Sequence, residues 1–171
     1  RYRGYLEAHI EQAAALEDAG QRIGIVTAIV GSHRFRIVFE GQQNHAGTTR
    51  MAVRKDAGVA LVKLAAAIED RFPQVAGPRT VWTTGRIVLD PGAPSIVPGK
   101  AEMLFQFRDT DQALLFELEK ELEALVARAN EGPCRVTIAT RGRSVPRPMD
   151  AAFQDALEQA AERHAPHLHT R

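Results

Sequence analysis

The chain has 171 residues, 44% of them apolar and 25% charged, which is ordinary for a globular protein and enough for one good core with appendages. Lys and Arg number 22 against 21 Asp and Glu, so no overall field favours nucleic acid or an acidic membrane surface. The single cysteine, Cys134, excludes an internal disulfide, and no apolar run approaches the ~20 residues of a membrane span.

The first residues, Arg1 to Tyr5, lack an initiator Met and lead into no signal-peptide pattern. The expectation is a piece of a longer, cytoplasmic protein. Tyr5 to Glu11 alternates with period two, setting Leu6, Ala8 and Ile10 against Glu7, His9 and Glu11, and so predicts a strand. A short helical piece, 12–19, closes at Gly20. The β-branched run 23–31 reads as a strand buried on both faces. The polar triplet Ser32 to Arg34 reads as a hinge.

From Arg34 the periodicity is regular. A strand over 34–40 buries Phe35, Ile37 and Phe39, and a helix from about Arg54 to Phe72 carries Ala57, Leu61, Leu64 and Ile68 on one face. Strands follow at 80–89 and 100–108, the latter with Ala101, Met103, Phe105 and Phe107 in register. Thr110 or Asp111 caps a second helix with Leu115, Leu118, Leu122 and Leu125, which Gly132-Pro133 stops, and a fourth strand spans 134–140. This order, βαββαβ, predicts an α+β ferredoxin-like sandwich, a four-stranded antiparallel sheet with two helices on one face. The proline- and arginine-rich segment 141–149 reads as a second hinge, and Asp150 caps a last helix that fades into His164, His167 and His169. Those three histidines read as a frayed helix end in preference to a metal cluster. The division expected is a complete small domain at 33–142, which fits an inserted lid, flanked by 1–32 and 143–171 as two pieces of another domain.

Three features suggest chemistry. The stretch 41–51 is a polar loop holding Asn44, His45, two glycines and two threonines. The link 90–99 has three prolines and two glycines around Ser95, too long for an economical hairpin and stiff enough to hold a shape. Arg108 ends the third strand, and its planar fork suits a carboxylate, so the three are expected to converge on a small anionic substrate. The plainer alternatives are a solvated His45, a solvated His9, and an Arg108 that pairs with Asp109 or Glu102.

The blocks Glu7-Ala8-His9-Ile10-Glu11-Gln12, Ile23 to Gly31, Asn44-His45-Ala46-Gly47-Thr48-Thr49, Pro91-Gly92-Ala93 with Ile96-Val97-Pro98-Gly99, and Phe107-Arg108-Asp109 occur in an order that resembles the hydantoinase/carbamoylase amidohydrolases of the M20 metallopeptidase-like superfamily. That group includes N-carbamoyl-L-amino-acid hydrolases and allantoate amidohydrolases. The resemblance implies that His9 is a ligand of a two-metal zinc or manganese site in the full-length enzyme, with Gln12 near the substrate. It implies that His45 polarises the scissile carbonyl, often in a neighbouring subunit's site, that Asn44 and Ser95 contact the substrate, and that Arg108 holds its carboxylate. The implied reaction is hydrolysis of a ureido or amide C–N bond by metal-activated water, in a homodimer formed through the lid. The chain departs from the family pattern at Ala13-Ala14, where relatives have Gly-Pro, at Arg50, where they have Pro, and at Ser95, where they have Asn. One histidine ligand cannot hold a metal pair, so this chain is expected to bind none stably and to be inactive alone. The alternatives are the lid of an M20-type aminoacylase or peptidase, or a non-catalytic amino-acid-sensing module of the same fold. An RNA-binding sandwich fits poorly, because aromatics are 6% and the charge is near neutral. No nucleic-acid or membrane partner is expected.

Overall fold

The structure is a computed structural model and describes residues 2–171. It comprises two compact units, residues 30–147 and the segments on either side, up to Ile29 and from Pro148.

The larger unit is built from β1 (Gly31–Glu40), α1 (Ala57–Arg71), β2 (Val81–Asp90), β3 (Lys100–Asp109), α2 (Gln112–Ala129) and β4 (Arg135–Ser144). The strands form one antiparallel sheet in the order β2-β3-β1-β4, the ferredoxin-like arrangement that the sequence order predicts. Pairing of β1 with β3 runs from Glu40 opposite Lys100 to Gly31 opposite Asp109. The register places Phe35, Ile37 and Phe39 beside Phe105, Met103 and Ala101, all on the helix-covered face. Against them pack Leu61, Leu64 and Ile68 from α1 and Leu115, Leu118 and Leu122 from α2. Each such side chain contributes about 1.5–3 kcal/mol through burial, which holds both helices to one face.

Local chemistry fixes the helix ends. Asp56 caps α1 by accepting from Val59 N at 3.0 Å, and Asp111 caps α2 by accepting from Ala113 N at 2.8 Å. Asn130 sets the exit of α2: its amide donates to Val136 O at 2.6 Å and accepts from Val136 N at 2.7 Å. The helix therefore stops two residues before Gly132-Pro133, tied to the first turn of chain that enters β4.

The first hinge is not where the polar triplet suggests. Ser32 and His33 are buried within β1. Ser32 N donates to Ser144 Oγ at 2.9 Å, and the two hydroxyls lie 3.0 Å apart. His33 sits among Phe107, Phe116 and Phe35, and its Nδ1 comes within 2.7 Å of Glu119 Oε2, though without hydrogen-bond alignment. Arg143 Nε donates to the same oxygen at 3.0 Å. Burial pushes the His33 imidazole below its ordinary value against the pull of Glu119. Burial also works to raise Glu119, but the hydrogen bond and charge of Arg143, with His33, hold it below the usual carboxylate range. Polar residues are tolerated here because their partners arrive from positions 119, 143 and 144, far along the chain. The second hinge is displaced for a related reason: Arg141 to Ser144 are strand residues of β4, which gains room through a bulge opposite Arg34 and Phe35.

The flanking unit departs further from expectation. Tyr5 to Glu11 forms no strand and is exposed, since no described strand runs beside it to pair its backbone. The run 23–31 is not one buried strand: only Ile23–Gly24 and Ala28–Ile29 are extended pairs before β1 begins, and Val26 is 61% exposed. Ile23–Gly24 pairs in parallel with His169–Thr170. The helix α3 (Ala151–His164) starts at Asp150, which accepts from Phe153 N at 3.1 Å. Its end is not frayed. The chain turns at His167, whose φ is 64°, and returns as a short strand, with Arg171 donating to Asp155 at 2.9 Å and Glu158 at 2.6 Å.

Candidate functional site

The polar loop, the proline-rich link and the start of α1 meet at one end of the sheet. Where β1 ends, Gly41 N donates to Gly99 O at 2.8 Å and Gln42 N to Lys55 O at 2.8 Å. A Cβ on Gly41 would lie 2.1 Å from Lys55 O, and one on Gly99 would lie 2.9 Å from Gln43 N, so both positions require glycine for close approach. Asn44 and His45 then pair antiparallel with Val97 and Ile96. Ala46 N donates to Ser95 O at 2.9 Å, and Ala57 N donates to Pro98 O at 3.1 Å.

His45 sits at the tip of this junction, exposed, with its backbone carbonyl accepting from Thr49 N at 3.1 Å and Thr49 Oγ1 at 2.7 Å. Its Nδ1 accepts from Gly47 N at 3.0 Å. An acceptor at Nδ1 means that the neutral ring carries its proton on Nε2, which points away from that bond and has no partner among the described residues. The ring is thus presented as a single outward donor. Arg54 closes the loop from below, with Nε donating to Thr49 O at 3.0 Å and Nη2 to Ala46 O. Nothing in the sequence singled out Arg54, because its role depends on two carbonyls five and eight residues earlier. The glycines at the ends of β1 and of the proline-rich link were the legible part of the signal.

The structure brings Asn44, His45 and Ser95 together, but it does not bring Arg108 to them. Glu40 lies opposite Lys100 and Ser32 opposite Arg108, so Arg108 is eight residues along β3 from the histidine end, ~26 Å at the usual strand rise. The expected convergence within one chain is therefore corrected: a sheet strand is too long and straight for both of its ends to reach one small molecule. The plainer reading of Arg108 is removed as well. Asp109 is buried, accepting from Thr80 Oγ1 at 2.5 Å and Asp111 N at 2.8 Å, and Glu102 takes Arg36. Among the described residues Arg108 keeps only a long contact, 3.4 Å, from Nη2 to Gln106 Oε1.

His9 and Gln12 belong to the flanking unit. His9 is exposed, with Nδ1 2.5 Å from Ile10 O, and Gln12 has a φ of 60°. Glu11 accepts from Ala15 N at 2.9 Å and Leu16 N at 3.0 Å, and so serves the helical turn behind it. Among the described residues no three His, Cys, Asp or Glu side chains are grouped to hold a metal ion. His9 alone does not make such a site.

Residues 27–133 match the family model described as a peptidase dimerisation domain of the M20 type. The chain is 42% identical over 112 residues to a ureidoglycolate hydrolase of Arabidopsis thaliana, covering 66% of this chain and 24% of that protein. It is 34% identical over 164 residues to an allantoate amidohydrolase of Bacillus subtilis, covering 90% of this chain and 39% of that one. A crystal structure of an amidase of the hydantoinase/carbamoylase family from Burkholderia phymatum superposes with a TM-score of 0.87 at 48% identity, over 94% of this chain and 40% of that one. The chain thus spans well under half the length of these relatives.

Proposed function

Because the chain belongs to the family of M20 peptidase dimerisation domains, we propose that it is the lid of a metal-dependent amidohydrolase. The bond cleaved is the ureido or amide C–N bond of N-carbamoyl amino acids or allantoate-like acids, as the names of its relatives suggest. The observation that carries this reading is His45: a ring fixed through Nδ1 on a rigid three-way junction, with Nε2–H directed outward. Such a donor polarises a scissile carbonyl and hydrogen-bonds the oxyanion that forms as the carbon becomes tetrahedral, the position where preorganisation lowers a barrier most. Asn44 and Ser95 flank it for substrate contact, and Arg108 holds a substrate carboxylate by its fork.

M20 amidohydrolases are generally dependent on a divalent metal. The described residues do not supply a metal site by themselves; zinc or manganese would be held by His9 together with donors elsewhere in the longer protein, with Gln12 nearby, and would supply the activated water. The ~26 Å between the histidine loop and Arg108 supports a site completed across a homodimer, with each lid serving a neighbouring active site through His45. The surface offered for pairing is the free edge of β2 with α1 beside it. It exposes Val81, Ile87, Leu89, Val59 and Val62 with Arg86 as the one cation of β2, whereas the opposite edge, β4, carries Arg135, Arg141 and Arg143, charges that discourage strand pairing. Introducing a charge by Ile87→Glu is expected to shift the chain to monomer in sedimentation.

The test of function is ammonia release from N-carbamoyl amino acids and allantoate by the longer protein supplied with Mn²⁺ or Zn²⁺, beside its His45→Ala variant. Loss of one oxyanion donor predicts a fall in kcat of about 10²–10³-fold. Release that is indifferent to His45→Ala refutes the catalytic role.

A further inference from the structure

The sheet face opposite the helices carries, beside Arg108, a second free arginine that nothing above uses. On β3 its residues are Glu102, Leu104, Gln106 and Arg108, and on β1 they are Val38, Arg36 and Arg34. Charge is segregated along this face. Arg36 is held by Glu102, with Nε at 2.9 Å and Nη2 at 2.5 Å, so that pair is neutralised. At the other half Arg34 lies directly opposite Gln106, and Arg108 is two residues further along β3. Arg34 and Arg108 are therefore diagonal cross-strand neighbours, ~7 Å apart with side chains on the same side. Both are exposed, and among the described residues neither forms an ion pair. The space beside Arg34 is open. Gly142 stands opposite Arg34 on β4, and a Cβ there would meet nothing within 4 Å.

Two unneutralised guanidinium groups side by side, with an amide between them, match two anionic groups joined by a short linker. We propose that Arg34 and Arg108, with Gln106 between them, form a two-point site selecting ureido or amide acids that bear a second carboxylate, of the aspartate- or glutamate-derived type. The inference rests on the reading of Arg108 as the substrate-carboxylate clamp and adds a specificity-determining partner to it. Arg86, on the same face but opposite Leu104, lies a step away from the pair and serves as a matched charge control.

The experiment is an NMR titration of the full chain, following the arginine Nε–H resonances, with N-carbamoyl-aspartate and with N-carbamoyl-alanine. The dicarboxylate is expected to bind about tenfold more tightly, the worth of one added charge-assisted contact at an exposed site. Arg34→Gln should bring that ratio close to one while the alanine derivative still binds, and Arg86→Gln should leave the ratio unchanged. Arg108→Gln should abolish binding of both. A ratio near one in the parent chain, or perturbation of neither arginine by either acid, overturns the proposal. So does a ratio that survives Arg34→Gln or falls equally with Arg86→Gln; in those cases Arg108 remains the clamp. Binding of the alanine derivative that ignores Arg108→Gln removes the clamp itself, and the pair with it.

Discussion

Replacing Gly41 by Ala tests whether the histidine loop is held by close backbone approach. The added Cβ would stand 2.1 Å from Lys55 O, 2.9 Å from Lys55 C and 3.1 Å from Ala57 N. Non-bonded heavy atoms settle at ~3.5 Å, so the two segments must part by more than ~1 Å, and every atom in the way belongs to the backbone. That displacement strains the bond from Gln42 N to Lys55 O, 2.8 Å, and the bond from Ala57 N to Pro98 O, 3.1 Å. Overpacking of this kind costs about 1–3 kcal/mol. For a chain of this size ~2 kcal/mol lowers Tm by about 4–8 °C. Thermal unfolding followed by circular dichroism reads the stability, and the His45 ring resonances read the loop. Gly85→Ala is the control, because a Cβ there meets nothing within 4 Å and loses no contact. Equal Tm values for the two variants, with His45 resonances unmoved in Gly41→Ala, would refute the argument that this junction is a packed unit.

Arg54→Met should leave Tm nearly unchanged but broaden or shift the His45 ring signals, since the loop loses two donors to Thr49 O and Ala46 O; unchanged signals would deny Arg54 its positioning role. Acidification should weaken the fold in two steps with the same sign. His33 has a lowered folded pKa, so the unfolded chain takes up its proton first, and stability falls as pH drops below the ordinary histidine value. Glu119 has a lowered folded pKa too, so its contribution is present above the ordinary carboxylate value and is lost as pH falls through the folded one. Urea unfolding of His33→Gln between neutral and mildly acid pH should lack the first step, and a slope equal to that of the parent would exclude His33 as its source. Leu118→Ala, at a fully buried position, should cost about 3–5 kcal/mol in the same assay, and a loss under ~1 kcal/mol would mean that α2 packs elsewhere.

Much of the larger unit was legible because its code is local. Period-two alternation in 34–40 and 100–108, three-and-four spacing in 54–72 and 112–129, and the cap at Thr110 or Asp111 each specify an element from its own residues. The order of those elements then left few ways to bury their apolar faces. Alternation alone misled at 5–11 and 23–31, because a strand exists only where another backbone lies beside it to take its hydrogen bonds. Composition alone misled at Ser32 and His33, whose partners, Ser144 and Glu119, are more than eighty residues away.

The candidate site divides in the same way. The sequence by itself determined which side chains are candidates for chemistry, because histidine, arginine and stiff glycine-proline loops have intrinsic properties. Only the tertiary structure decided how they group. Strand register set His45 beside Ile96, placed Arg108 at the opposite end of the sheet and brought Arg34 next to it. Register is fixed by the burial of a whole face at once, and no residue carries that information alone.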